Sequence, residues 1–170
     1  MINKVQFNNW QGLAEAIREE LRECSWLLSL LDDQQRAILD RDTAALLSIN
    51  ESIVEQHHQV RVCRDARVGM MHEAGATLDM SQGASIMDLA PLMPAVLKPL
   101  FEALSGEARS LRERVRRRTV QNQRMMERAS MVVSEMLNII RPGSITRTYG
   151  RRGKYSTSTS LKGSVVHTAV

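Results

Sequence analysis

Apolar residues recur at alternating steps of three and four along three stretches of this chain. This spacing puts them on one face of a helix and is typical of helices in bundles and coiled coils. It predicts three helices, at about residues 9–39, 43–73 and 94–141. The corner between the first two is only a few residues long, so they run antiparallel, and Asp42 is suited to cap the second. We therefore predict an all-α fold, an antiparallel, coiled-coil-like bundle of three long helices within residues 1–141.

The connection over residues 75–93 contains glycine and proline but is also rich in Leu, Ile and Met. Ser85 to Asp88 resembles a capping box, which predicts one short helical turn within a partly ordered loop. Pro94 suits the first turn of the third helix. Pro99 should kink that helix or mark its true start, because Lys98 before it is pushed away from helical geometry.

The third helix is the longest and most regular, and polar Arg118 and Asn122 interrupt its apolar seam. Counted from Pro99 it has about 43 residues, or roughly 64 Å, whereas each of the others has about 31 residues, or roughly 45 Å. Its methionine-rich end, from Met125 onward, should therefore lack partner surface within the chain. An exposed apolar stripe normally marks a binding surface, and methionine adapts to varied partners.

The basic character of the chain is located in its last segment. The whole chain carries 23 Lys and Arg against 19 Asp and Glu, a net charge of +4. Residues 141–170 hold six of the basic residues and no acidic one, which leaves 17 basic against 19 acidic in the rest. The segment 142–170 is also rich in Ser, Thr and Gly, which predicts a flexible, disordered basic tail. Net charge therefore gives no reason to assign nucleic acid to the folded part.

Polar side chains at core-type positions have two interpretations. Gln35, Gln56 and Asn122 either fix the register of the helices from within the core, or lie at the stripe edge and reach water. The six arginines between Arg109 and Arg118 could bind an acidic protein or nucleic acid. We favour a solvated face that pairs with glutamates of neighbouring helices, since no aromatic residue for base stacking is interleaved.

No motif for catalysis, cofactor binding or metal binding is evident. Glu55 and His58 have the spacing used in di-iron bundles, but such sites need a second copy of the motif and two further glutamates. A phosphotransfer role for His57 or His58 lacks supporting neighbours. Cys24 and Cys63 are interpreted as buried, reduced thiols. We expect no enzymatic activity, no cofactor, no membrane span and no secretory signal, and a cytoplasmic location.

Several segments together resemble the FlgN family of flagellar type III export chaperones. They are a Leu- and Glu-rich first helix, the Asp40-Arg41-Asp42 corner, Val120-Gln121-Asn122-Gln123 within the long third helix, and Thr148-Tyr149-Gly150 followed by Gly153. The last resembles the Tyr-Gly-x-x-Gly ending of the family. The Met- and Arg-rich third helix and the tail beyond Tyr149 depart from the family pattern.

The resemblance implies a cytoplasmic chaperone that binds the C-terminal helices of the first and third hook-associated proteins at the hook–filament junction. It would keep them unpolymerised and deliver them to the export apparatus through helix-in-groove association. By position, seven residues of the third helix are the expected contacts: Met125, Met126, Val132, Val133, Met136, Leu137 and Ile140. Tyr149 is the eighth expected contact residue, with either the client or the export gate as its partner. The main alternative is a self-associating coiled-coil adaptor that uses the same face without a client.

Overall fold

The structure is a computed structural model that contains three long helices. It describes residues 9–75, 86–91 and 93–140, and the backbone of residues 145–149 and 155–159. The long helices are α1 (Trp10–Asp40), α2 (Thr43–Gly75) and α3 (Lys98–Ile140). Short 3-10 helices, Ile86–Leu89 and Ala95–Leu97, lie between α2 and α3, and strands β1 (Ile145–Tyr149) and β2 (Tyr155–Thr159) follow α3. The predicted helical bundle is confirmed.

Side-chain caps set the start of α1. The Asn9 side chain accepts a hydrogen bond from the backbone N–H of Gly12, at 3.1 Å, and so satisfies one of the free donors at the helix N-terminus. A Cβ atom at position 12 would lie 2.4 Å from Asn9 Oδ1. A side chain at position 12 would therefore displace the Asn9 side chain from its present capping position.

The corner between α1 and α2 combines a left-handed residue with a cap. Arg41 has a φ of 57°, and the N–H groups of Arg41 and Asp42 donate to the carbonyls of Ile38 and Ala37. This is a Schellman ending, with arginine where glycine is usual. The Asp42 carboxylate then accepts from the Ala45 N–H at 2.9 Å, as predicted for the cap of α2.

Contacts along α1 fix the directions of its two neighbours. Glu20 of α1 pairs with Arg67 of α2, and Gln34, later in α1, pairs with Asn50, earlier in α2. The two helices are therefore antiparallel. In contrast, Trp10 packs edge-on against Phe101, with ring centroids 6.0 Å apart, and the Leu31 carbonyl accepts a bond from Asn122. Each of these two pairs is separated by 91 residues, so α1 and this part of α3 are parallel and keep one register over about three heptads.

The main core lies where all three helices meet. Leu13 and Phe101 have no exposed surface, and buried residues from the segment between α2 and α3 join them. Leu89 and Met93 belong to this core. The short turn predicted near residues 85–88 is present as the 3-10 helix Ile86–Leu89. The rest of the predicted loop, residues 76–85 and 92, falls outside the described residues.

The start of α3 corrects one expectation. Lys98 has helical angles, φ −52° and ψ −49°, so the proline that follows it does not exclude it from helical geometry. Pro99 lies in the first turn of α3, where the missing N–H costs no intrahelical hydrogen bond. The helix begins one residue before Pro99, at Lys98, so the expectation that Lys98 would be excluded from it is wrong.

The segment after α3 contains a pair of strands that the sequence analysis did not predict. β1 and β2 pair antiparallel, with Ile145 opposite Thr159 and Tyr149 opposite Tyr155. Threonine and tyrosine, which favour strands, recur in both segments, and glycines 150 and 153 lie between them. The remaining positions of the predicted tail lie outside the described residues. By contacts the chain divides into two compact units, Met1–Asn122 and Gln123–Val170.

Candidate functional site

The last ten residues of α3 contain seven large apolar side chains, and all seven are exposed. They are between 43% and 80% exposed: Met131, Val132, Val133, Met136, Leu137, Ile139 and Ile140. Earlier in the same helix the apolar positions are buried, as at Phe101, Leu104 and Leu111. The apolar pattern of α3 is therefore core in its first part and surface in its last.

Six of these seven side chains share one helical face. With 100° between successive residues, Val132, Val133 and Met136 fall on the same side as Leu137, Ile139 and Ile140. Met131 points the opposite way, on the side of Ser134 and Asn138. We call the six residues 132, 133, 136, 137, 139 and 140 the apolar face of α3.

The predicted contact residues divide into three groups. Val132, Val133, Met136, Leu137 and Ile140 are exposed and lie on the apolar face. Met125 and Met126 are half-buried. Tyr149 belongs to β1, and its side chain lies outside the described part of the chain.

Ile139 is the residue of this face that the sequence analysis omitted. It is 80% exposed, the largest value on the face. It lies seven residues after Val132 and therefore in the same heptad row. The spacing could have identified it.

A second set of exposed apolar side chains lies on α2. Leu47, Val54 and Val68 recur at steps of seven and fourteen residues, with Arg61 at the intervening position. These three side chains are spread over 22 residues, whereas the apolar face of α3 gathers six within nine. The denser face is the stronger candidate for a docking surface.

A layer of buried amides links the three helices. The side-chain nitrogen of Asn122, a residue 1% exposed, donates to the Leu31 carbonyl and to Gln34 Oε1, each at 2.7 Å. Gln34 in turn donates to Asn50 Oδ1 of α2, at 2.7 Å. Both groups next to the Asn122 nitrogen are acceptors, so the reverse orientation of this amide would be repulsive. Asn122 is thus a core residue that bridges helices.

Arg118 extends this layer on the α1 side. Its Nε lies 2.6 Å from Asp32 Oδ1, and its Nη1 donates to Gln35 Oε1. Gln35 is half-buried and takes part in the layer from its edge. Gln56 is a separate buried amide, which donates to both the carbonyl and the carboxylate of Glu23. All three polar seam residues therefore bond between helices.

The core also contains an ion pair that the sequence analysis did not identify. Glu20 of α1 pairs with Arg67 of α2, and the two side chains are only 7% and 12% exposed. Arg67 Nη1 also contacts Met71 Sδ at 2.9 Å. Because α1 contains several glutamates in similar sequence surroundings, the sequence does not show which of them is buried, whereas the fold does.

The arginine run of α3 is mostly a solvated face. Arg116 and Arg117 lie 3.6 and 3.8 Å from Glu113 of the same helix, and both are well exposed. The expected pairing with glutamates of neighbouring helices is wrong for these two, because the acid is on α3 itself. Among the described residues, Arg118 is the arginine of this run that pairs with another helix, through Asp32.

His57 and His58 were the candidate metal ligands of the sequence analysis. His57 and His58 are exposed on α2. Among the residues that the structure describes, no group of three or more His, Cys, Asp or Glu side chains could hold a metal ion. Within the same residues, no helix is long and apolar enough to cross a membrane.

Both cysteines are free thiols with raised pKa values. Burial raises the pKa of the Cys24 thiol, and the negative charge of Glu20 adds to the effect. Burial also raises the pKa of the half-buried Cys63, helped by Glu23 and Glu19. The surroundings therefore favour the neutral thiol, which is the less reactive form.

Comparison with known proteins identifies one family. The family described as FlgN protein matches residues 9–157, which include all three long helices, strand β1 and the first three residues of β2. No curated protein matches the chain. No solved structure matches it either. The match covers most of the 170 residues, and this family consists of chaperones rather than enzymes. The chain therefore belongs to the FlgN family of flagellar export chaperones.

Proposed function

We propose that this chain is a cytoplasmic chaperone that binds the C-terminal helices of the first and third hook-associated proteins. It keeps these clients unpolymerised and delivers them to the type III export apparatus. The client helix docks on the apolar face of α3, with Met125 and Met126 at the near end of the contact. Membership of the FlgN family supports the chaperone role, and the choice of clients and of contact residues is our proposal.

One observation carries this proposal: six large apolar side chains of α3 are exposed on one face within nine residues. Burying the exposed part of such a side chain is worth about 1 kcal/mol. Several together would hold an amphipathic helix whose own apolar residues recur at steps of three and four. Valine and isoleucine give the face a defined shape, whereas Met136 can adapt to different clients.

The proposed mechanism is a reversible association without bond chemistry. The client ends are helical, so their apolar stripes would otherwise pair with one another during filament assembly. Covering one stripe removes the surface on which polymerisation depends. Release at the export apparatus needs only a competing contact, for which Tyr149 in β1 is our candidate on the chaperone side.

Co-expression with a tagged C-terminal segment of a hook-associated protein from the same cell tests the proposal. The full chain should co-purify with this segment, and a chain truncated after Arg124 should not. Met136→Glu combined with Ile140→Glu should abolish the complex, because two charges would enter the apolar contact. Helicity measured by circular dichroism should remain that of the parent.

The opposite side of the same helix provides a matched control. Met131→Glu combined with Asn138→Glu adds the same two charges, but at positions away from the apolar face. This variant should retain the client. A normal complex from the Met136/Ile140 variant, or equal loss from both variants, would contradict the proposed docking face.

Self-association is the alternative outcome of the same experiment. A second copy of the chain could also cover the apolar face. In that case sedimentation at micromolar concentration would show a stable dimer or tetramer that Met136→Glu with Ile140→Glu dissociates. A parent chain that is monomeric at this concentration would exclude the alternative.

A further inference from the structure

The heptad pattern of α3 does not by itself determine how the helix is aligned along α1. Residues seven apart form two apolar rows, each with one polar exception. The first row is Leu97, Leu104, Leu111, Arg118, Met125, Val132 and Ile139; the second is Phe101, Ala108, Val115, Asn122, Ala129 and Met136. If α3 slid by seven residues, most apolar side chains of these rows would be replaced by other apolar ones, whereas Arg118 and Asn122 would take the positions of Leu111 and Val115. The remaining apolar positions alone therefore allow at least two registers.

The two exceptions are the residues that bond across the bundle. Asn122 donates to the Leu31 carbonyl and to Gln34, which is bonded to Asn50 of α2. Arg118 pairs with Asp32. In the slipped register Met125 and Ala129 would take the positions of Arg118 and Asn122 in the layer. The hydrogen bonds of Asn122 and the ion pair of Arg118 would then be broken. Buried polar groups without partners are strongly disfavoured.

We infer that the Asn122–Arg118 layer is a register lock, which selects one heptad alignment of α3 and so leaves the apolar face unpaired. The layer joins all three helices, since Asn122 of α3 donates to α1 and Gln34 of α1 donates to Asn50 of α2. Arg118 and Asn122 are positioning residues, and the inference holds whatever partner α3 binds.

The aromatic contact at the other end of the core is the competing explanation. Trp10 and Phe101 keep the same offset of 91 residues as Leu31 and Asn122. This contact is apolar packing, which has little directional preference. In the slipped register Ala108 would replace Phe101 next to Trp10, which would leave a cavity but no unpaired polar group. We therefore expect the aromatic pair to add stability and the polar layer to specify register.

Distances between spin labels on α1 and α3 test the inference in the free chain. Ser29 and Ser110 are exposed and can carry nitroxides as cysteines, with Cys24 and Cys63 replaced by alanine. The parent should give one distance. Arg118→Leu with Asn122→Leu should stay helical, with an unfolding midpoint equal or higher, but give a second distance longer by about 10 Å, the rise of seven helical residues.

Moving the layer gives the sharpest result. Arg118→Leu and Asn122→Leu combined with Met125→Arg and Ala129→Asn shift the polar pair by one heptad. This variant should show the long distance as its main population. Phe101→Ala, the control for the aromatic contact, should lower the unfolding midpoint and leave the distance unchanged.

Three results would overturn the register lock. They are an unchanged single distance in both layer variants, unfolding of both, or a new distance in Phe101→Ala. None of these measurements involves a client, so failure of the lock and failure of the proposed docking face can be told apart.

Discussion

Glu20 and Arg67 form a charged pair that is buried between α1 and α2. Since the two side chains are almost fully buried, removing one charge leaves the other desolvated and unpaired. We predict that Glu20→Gln lowers the free energy of unfolding by about 3–5 kcal/mol, measured by urea denaturation. Replacing both, as Glu20→Leu with Arg67→Met, should be close to neutral. A small effect of the single change would mean that water reaches the pair.

The two thiols give a prediction on pH dependence. Because the pKa values of Cys24 and Cys63 are raised, a smaller fraction of each is thiolate at pH 7 than for an ordinary cysteine. Both should react slowly with a disulfide reagent at pH 7 and faster as the pH rises, with half-buried Cys63 ahead of buried Cys24. Cys63→Ser isolates the slower residue. Equal rates for the two thiols would contradict their different burial.

Single residues mark the limit of what the sequence could predict. Asp42 was identified as a cap because its partner, the N–H of Ala45, is three residues away. Glu20 could not be separated from neighbouring Glu19, because its partner is 47 residues away. Asn122 had two open interpretations until its contact with Leu31 decided between them. Contacts between residues close in sequence could be predicted from the sequence, whereas contacts between residues far apart in sequence could not.

At the scale of elements, the corner between α1 and α2 is strained at one residue. Arg41 has a φ of 57°, a conformation that costs a side-chain-bearing residue about 1 kcal/mol relative to glycine. Arg41→Gly should therefore raise the free energy of unfolding by about 0.5–1 kcal/mol in thermal or urea denaturation. Asp40→Gly, one residue earlier and within the helix, should lower it by a similar amount. A loss of stability in Arg41→Gly would show that the arginine side chain has a compensating contact.

The two parts of α3 should differ in local stability. Leu104 and Leu111 are buried, whereas Met136 and Ile140 are exposed. Local unfolding of the last turns of α3 would therefore expose little additional apolar surface. Amide hydrogen exchange should be faster by at least tenfold over residues 131–140 than over residues 104–115. A bound client helix should slow exchange in the first of these ranges. Equal protection in the free chain would indicate that something already covers the apolar face.

Helix α3 also shows which part of the site was predictable. Its apolar steps continue with the same spacing from core into surface, so periodicity could not separate the two parts. Length could, because α3 has 43 residues and α1 only 31. Five of the eight predicted contacts lie on the exposed face. Met125 and Met126 are half-buried, because a change from core to surface is gradual along a helix.

At the scale of the whole molecule, three features belong together. The bundle supplies a buried core, the polar layer at Asn122 is the inferred register lock, and the apolar face is the proposed docking surface for a client helix. The sequence predicted the bundle because three long patterns with apolar residues at steps of three and four allow few other arrangements. It did not predict β1 and β2, because short Ser- and Thr-rich segments look alike whether or not they pair.

The central claim is that the apolar face of α3 binds a client helix. Its most direct test is an equilibrium titration of a fluorescently labelled C-terminal segment of a hook-associated protein from the same cell. The parent chain and the Met131→Glu/Asn138→Glu control should bind within about threefold of each other. Met136→Glu/Ile140→Glu should bind about 100-fold more weakly, since the lost apolar burial is worth about 3 kcal/mol. Equal affinities for all three chains would contradict the claim.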